Sequence, residues 1–197
     1  MNTAPAWQHI ALADTLSSPW KNGGGTTREL LAWPDPQDWT LRLSVAQVET
    51  DGPFSRFEGI TRWFAVLAGP GVRLRMAESG QTHTLYAASK PLEFDGAQAL
   101  DCSLINGPTQ DFNLMVRSAR HPHSRMRRVA GQMHWQGEAS TVLAVWANTA
   151  PAVLAWSGQA GVTIAAGTLA WAMLTGPTPY PSLAVRGADA LFMEIRL

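Results

Sequence analysis

Trp39-Thr40-Leu41-Arg42-Leu43-Ser44-Val45-Ala46 decides the fold class. Leu41, Leu43 and Val45 fall on one side of this stretch, and Thr40, Arg42, Ser44 and Ala46 on the other. That period of two is the signature of a half-buried strand. The polar side either meets solvent or lines a cavity, and alternation alone is compatible with both.

The same grammar repeats in both directions along the chain. Upstream, a strand is expected near Trp7–Leu12, and Thr26–Trp33 reads as extended before Pro34-Asp35-Pro36 forces a turn. Downstream, Asp51-Gly52-Pro53-Phe54-Ser55 is a turn signature. Trp63–Leu67 is a short apolar strand, and Val72–Met76 and His83–Tyr86 flank the hairpin signal Glu78-Ser79-Gly80. Leu100–Ile105 precedes the turn Asn106-Gly107-Pro108. Asp111–Arg117 then alternates again, with Asp111, Asn113, Met115 and Arg117 opposite Phe112, Leu114 and Val116. Val142–Trp146, Ala152–Trp156, Leu169–Leu174 and Leu191–Leu197 continue the pattern in a more apolar second half. Short strands separated by Gly/Pro turns at such spacing predict an all-β sandwich or barrel.

Composition narrows the function classes. With 46% hydrophobic and 15% charged residues in 197, the chain can bury roughly 70% of its unfolded surface and needs neither metal nor disulfide to fold. Lys+Arg and Asp+Glu balance at 15 each, so no global field recruits nucleic acid or a membrane. The five arginines between Arg117 and Arg128 carry no interleaved aromatic residue for base stacking, and they read as a solvated connector or a charge-guarded edge strand. The lone Cys102 excludes an internal disulfide and reads as a small buried hydrophobe. No basic-then-apolar leader and no membrane-length apolar run is seen, which makes the cytoplasm the expected compartment.

Trp20-Lys21-Asn22-Gly23-Gly24-Gly25-Thr26-Thr27-Arg28-Glu29-Leu30 is the most demanding local segment. Three glycines in a row suit positive φ or the close approach of another backbone or a ligand, and Lys21 and Asn22 beside them can donate to an anion. A plain hinge between strands explains the glycines equally well. No Gly-Lys-Ser/Thr follows, which disfavours a phosphate-binding loop. His121-Pro122-His123 invites a metal reading, but cations surround it and no carboxylate lies close by, so no metal and no other cofactor is expected. Gly-x-Ser-x-Gly is absent and no triad can be assembled. What remains is Lys21, Asn22, Arg42, Ser44 and Asn113, with Met115 on the same strand side as Asn113. Two cations, two amides and a hydroxyl suit recognition of a small carboxylate better than bond breaking.

Taken together, Pro19–Leu30, Trp39–Ala46, Asp51-Gly52-Pro53-Phe54-Ser55-Arg56-Phe57-Glu58-Gly59-Ile60 and Asp111–Met115 resemble the HutD/Ves family, in motif order over roughly residues 15–117. The resemblance implies a bicupin-like chain of two small jelly-roll β-barrels, typically a homodimer, without the metal-binding histidines of metal-dependent cupins. The barrels are expected at 1–117, holding the pocket, and at 118–197. Carried over by position, the pocket residues are Lys21, Asn22, Gly24, Arg42, Ser44, Asn113 and Met115, with Asp51, Phe54 and Ser55 shaping one rim. Family members often carry Asp-Arg where this chain has Thr61-Arg62, so pairing of that acid with the arginine is lost. They also often have a basic pair where Arg117-Ser118 stands.

The resemblance implies metal-independent binding of a small anionic metabolite, with an accessory or regulatory role in histidine or amino-acid utilisation. A cofactor-independent isomerase or hydrolase using Lys21 or Asp51 as acid/base is the alternative from another class. A stress-response or protein-interaction role with a vestigial pocket is a third.

Overall fold

The computed structural model describes residues 5–118, 123–137, 140–175 and 180–197. Among them the chain forms strands β1 (Gln8–Ala11), β2 (Ser17–Pro19), β3 (Gly25–Trp33), β4 (Leu41–Val48), β5 (Gly52–Pro53), β6 (Ile60–Ala68), β7 (Val72–Met76), β8 (Thr82–Leu85) and β9 (Leu92–Asp95). Then follow β10 (Leu100–Leu104), β11 (Thr109–Arg117), β12 (Ser124–Trp135), β13 (Thr141–Ala147), β14 (Ala152–Trp156), β15 (Val162–Ile164), β16 (Thr168–Leu174) and β17 (Leu183–Arg196). No α-helix occurs among the described residues, and hence none long and apolar enough to cross a membrane. The all-β expectation is met.

Two compact units result: Thr15–Arg120, and His121–Leu197 together with Met1–Asp14. The expected division at 117/118 differs from this at the N-terminus. β1 pairs antiparallel with β16, Gln8 opposite Trp171 and Ala11 opposite Thr168, so the opening strand completes the later sheet. That pairing is non-local, and nothing in the composition of the first residues announces it.

The unit Thr15–Arg120 consists of a six-stranded sheet in the order β2-β3-β4-β11-β6-β9 and a four-stranded one in the order β5-β10-β7-β8. Val48, Phe64 and Val66 of the larger sheet pack with Val72, Leu74, Met76, Leu100 and Cys102 of the smaller. Strand β7 shows the rule at work: Val72, Leu74 and Met76 are buried while Arg73 and Arg75 are exposed. Each large apolar side chain so buried contributes about 1.5–3 kcal/mol.

In the other unit a seven-stranded sheet runs β1-β16-β13-β17-β14-β15, with β12 on β17. Strand β17 changes partner along its length, pairing with β14 through Leu183–Gly187 and with β13 through Ala190–Arg196. Trp7 stacks on Trp156 at 6.3 Å between ring centroids, and Trp135 meets Trp156 edge-on at 6.4 Å. Of the basic segment, Arg117 ends β11, residues 119–122 lie outside the described residues, and residues 124–128 open β12, a strand paired with β17 whose Arg125 and Arg127 are exposed. This is the charge-guarded strand rather than the loose connector.

The glycine run is a hairpin tip between β2 and β3. Trp20 N donates to Gly25 O at 2.9 Å, Gly23 N to Trp20 O at 3.0 Å, and Gly23 adopts φ 71°. Gly24 has room for a methyl group if the Thr50 hydroxyl yields, whereas a Cβ on Gly25 would collide with the carbonyl oxygen of Gln47 across the β3–β4 ladder. The close backbone approach is therefore at Gly25. Gly25→Ala is expected to destabilise the protein by roughly 1–3 kcal/mol or more, since neither backbone can step aside. Gly24→Ala should cost under about 1 kcal/mol; urea denaturation of the two variants provides the check, and equal midpoints would refute the assignment.

Candidate functional site

Register across β4, β11 and β6 turns the polar residues of three strands onto one inward face. Arg42 lies opposite Met115 and Met115 opposite Arg62; Ser44 opposite Asn113 and Asn113 opposite Phe64; Ala46 opposite Asp111 and Asp111 opposite Val66. The alternation of Trp39–Ala46 is thus explained by a cavity, not by solvent: Leu41 and Leu43 are fully buried on one side, and Arg42, Ser44 and Ala46 line a cavity of ≈ 680 Å³ on the other. A volume of that size accommodates a small metabolite.

Eight of the expected residues line this cavity: Lys21, Asn22, Arg42, Ser44, Phe54, Ser55, Asn113 and Met115. Gly24 and Asp51 do not. They border a separate void of ≈ 10 Å³ beside Cys102, and Asp51 Oδ1 accepts a hydrogen bond from Leu104 N at 2.8 Å. Asp51 thus fastens β10 instead of facing a ligand. Lys21 sits exposed on the hairpin tip, so the two residues considered for acid/base work border different spaces.

Arg42 does meet a carboxylate, but one of the protein's own. Its Nε lies 2.6 Å from Glu29 Oε2, yet without the alignment of a hydrogen bond, so the contact is an ion pair and Nε donates to nothing. Glu29 reaches it from β3, where it stands opposite Ser44.

The residue that sequence reasoning missed is Arg62. It is 6% exposed and has no acidic partner among the described residues. Its Nη2 donates to Asn113 Oδ1 at 3.0 Å and its Nη1 to Ser55 O at 3.2 Å, while its buried Nε has no partner. The guanidinium carbon lies 5.4, 5.5 and 5.1 Å from the ring centroids of Phe54, Phe57 and Phe94. Burial, with the nearby Arg42 charge second, lowers its pKa to about 10, which leaves it cationic at neutral pH. A lone arginine inside the apolar run Ile60–Ala68 was the available signal. Trp20, Thr27, Phe57 and Phe64 also line the cavity, and Trp20 Nε1 donates to Thr27 Oγ1 at 2.7 Å.

Two buried titratable groups stand beside this wall. Cys102 is 2% exposed, and burial, with Asp111 and Asp51 next, pushes its thiol up to about 12, so it is an inert hydrophobe as expected. Asp111 is completely buried; Thr109 Oγ1 donates to its Oδ2 at 2.8 Å while Oδ1 has no partner. Desolvation raises its pKa to about 7, against a smaller lowering by the Thr109 hydrogen bond. No group of three or more His, Cys, Asp or Glu among the described residues could hold a metal ion. His121, half of the histidine pair weighed for metal, lies outside the described residues.

Comparison with known proteins places this geometry in a family. The HutD family model matches residues 12–192. An uncharacterized 21.2 kDa protein in the hutC 3′ region of Pseudomonas putida is 36% identical over 138 residues, 69% of this chain and 71% of that one. Protein Ves of Escherichia fergusonii is 37% identical over 100 residues, spanning 50% of this chain and 51% of its own length. Among solved structures, the conserved protein PA5104 of Pseudomonas aeruginosa PAO1 superposes with a TM-score of 0.82 at 31% identity, covering 97% of this chain and 98% of that one. HutD from Pseudomonas fluorescens SBW25 gives 0.81 at 27%, with the same coverage. Oxalate decarboxylase of Bacillus subtilis, at 12% identity and a TM-score of 0.62 over 100% of this chain and 78% of that one, shares the cupin fold.

Asp111 makes stability depend on pH. Its carboxyl stays protonated in the folded protein up to about 7, whereas in the unfolded chain it ionises near the ordinary 3.8. Between those values the folded state binds the extra proton, so its stabilising contribution, complete below pH ~4, is lost as pH rises toward and through 7, at up to ~1.4 kcal/mol per pH unit. Asp111→Asn should flatten this slope. Urea denaturation of both proteins from pH 4 to 8 reads the difference, and parallel curves would show that Asp111 does not carry it.

Proposed function

The chain belongs to the HutD family, and from the charge and shape of its cavity we propose that it binds a small metabolite bearing a carboxylate, as an accessory or regulator of histidine utilisation. The observation that carries the reading is Arg62: a guanidinium on a cavity wall, buried, cationic and without an acid of its own. Removing a charge from water costs several kcal/mol, and three aromatic faces with two oxygen acceptors offset only part of that cost. An incoming carboxylate supplies the missing counter-charge, with the Asn113 amide and the Ser44 hydroxyl within the same grid to fix its orientation. The names of the relatives, one in the hutC 3′ region and one HutD itself, support the pathway.

Binding is favoured over turnover by what faces the cavity. Its lining holds Lys21, Arg42 and Arg62 but neither an acid nor a histidine, so general acid/base partners of matched pKa are missing from the wall. Arg42, Ser44, Asn113, Met115, Arg62 and Phe64 of the lining come from three adjacent strands of one sheet, a rigid frame for recognition.

Thermal-shift screening against carboxylate intermediates of histidine breakdown identifies the ligand, because a compound that binds only the native state raises its melting temperature. With the ligand found, Arg62→Ala is expected to weaken it by roughly 2–5 kcal/mol, and Arg62→Lys to recover only part of that because a lysine cannot form the fork. Calorimetry on both variants decides: unchanged affinity in Arg62→Ala would remove the carboxylate seat.

A further inference from the structure

The cavity holds two inward guanidiniums in one row across the sheet, separated only by Met115 on the strand between them. Strand spacing puts their backbones roughly 10 Å apart. Their electrostatic states differ. Arg42 is engaged by Glu29 at 2.6 Å, whereas Arg62 has no acid among the described residues. Arg42 is therefore spent and Arg62 is not.

We propose that Glu29 is a charge-selectivity residue: by holding Arg42 it leaves the barrel one unspent cation, so the interior accepts a ligand with a single carboxylate at Arg62 and rejects a second one beside Arg42. The proposal deepens the carboxylate reading given above and rests on it. A second carboxylate arriving at Arg42 would have to displace Glu29 or sit against it, and two carboxylates at one guanidinium repel each other. The remainder of the ligand meets Trp20, Phe54, Phe64 and Met115, with Ser44 and Thr27 as hydroxyl contacts. That lining suits a neutral body, apolar or unsaturated, with a neutral hydrogen-bonding group. Lys21 offers a further cation only at the exposed tip, so a second acid is tolerated at the mouth and not within. The glutamate is partly solvent-exposed, its side chain at 41%, so its replacement by an isostere spares the core.

Butyrate and succinate, matched in chain length and differing by one carboxylate, are the probes, with dissociation constants measured by calorimetry on the full chain. The native protein is expected to bind butyrate at least as tightly as succinate. Glu29→Gln frees Arg42 and should shift the butyrate/succinate ratio toward succinate by about tenfold or more, while Glu29→Asp keeps the native order. A native preference for succinate, or the same ratio in the native protein and Glu29→Gln, overturns the role of Glu29 and leaves the Arg62 seat standing. Failure of both probes to bind either protein at millimolar concentration overturns the carboxylate reading itself. Circular dichroism and melting temperature confirm that both variants are folded. Should Glu29→Gln unfold, Arg42→Gln removes the same pair from the other side, and here succinate must stay at or below butyrate; a gain for succinate would refute the proposal.

Discussion

A guanidinium sealed into a β-barrel without a carboxylate has to be held by other means, and the wall around Arg62 is arranged to do so. Three phenylalanine rings lie within 5.5 Å of its carbon, one from β9 and two from the stretch between β5 and β6. Ser55 O accepts from Nη1, which ties the same stretch to the sheet, and Asn113 Oδ1 accepts from Nη2 on the neighbouring strand. The residue proposed above as the carboxylate seat is therefore also the one that fixes the loop carrying Phe54 and Phe57. Ligand charge and loop position are coupled through one side chain, because ring faces and an anion compete for the same cation.

Much of the frame was legible because the period-two pattern is strict where it matters. Val72–Met76 and Ala152–Trp156 coincide with their expected bounds, and most other long strands shift by one to three residues. The short strands β2, β5, β9 and β15, of two to four residues, were missed because they are too short to show a period, while residues 129–135 of β12 and 183–190 of β17 were missed although they lie in long strands. The pairing of β1 with β16 escaped for a different reason: register between segments about 160 residues apart is a property of the closed sheet and not of either segment.

The cavity wall was legible in outline, and Arg62 was not among the residues expected on it. Arg42, Ser44 and Asn113 emerge from alternation alone once the polar side of the strand is known to face inward. Alternation cannot tell which of two arginines keeps its charge unspent, since that depends on Glu29 reaching across from β3 past a register shift between Glu29 and Leu31. Arg62 escaped because the strand was expected to begin only at Trp63, which left Arg62 outside the pattern, whereas β6 starts at Ile60 and turns Arg62 inward. Asp51 misled in the opposite direction: a turn acid beside a pocket motif looks functional, yet its oxygen satisfies the backbone of β10.

Arg62 and Asp111 show how one wall treats two buried ionisable groups in opposite ways. Both are charged residue types buried on the same inward face, separated by the row that contains Asn113. Desolvation acts on both and disfavours the ion in each case, but from opposite starting points: an arginine lowered to about 10 remains charged at pH 7, whereas an aspartate raised to about 7 loses half its ionisation there. Burial therefore leaves Arg62 its positive charge and suppresses the negative charge of Asp111. At or below neutral pH the carboxyl of Asp111 is largely neutral, and the row that contains Asn113 separates it from Arg62. Above neutrality Asp111 ionises at the expense of the stability its protonated form supplies, while Arg62 keeps its charge.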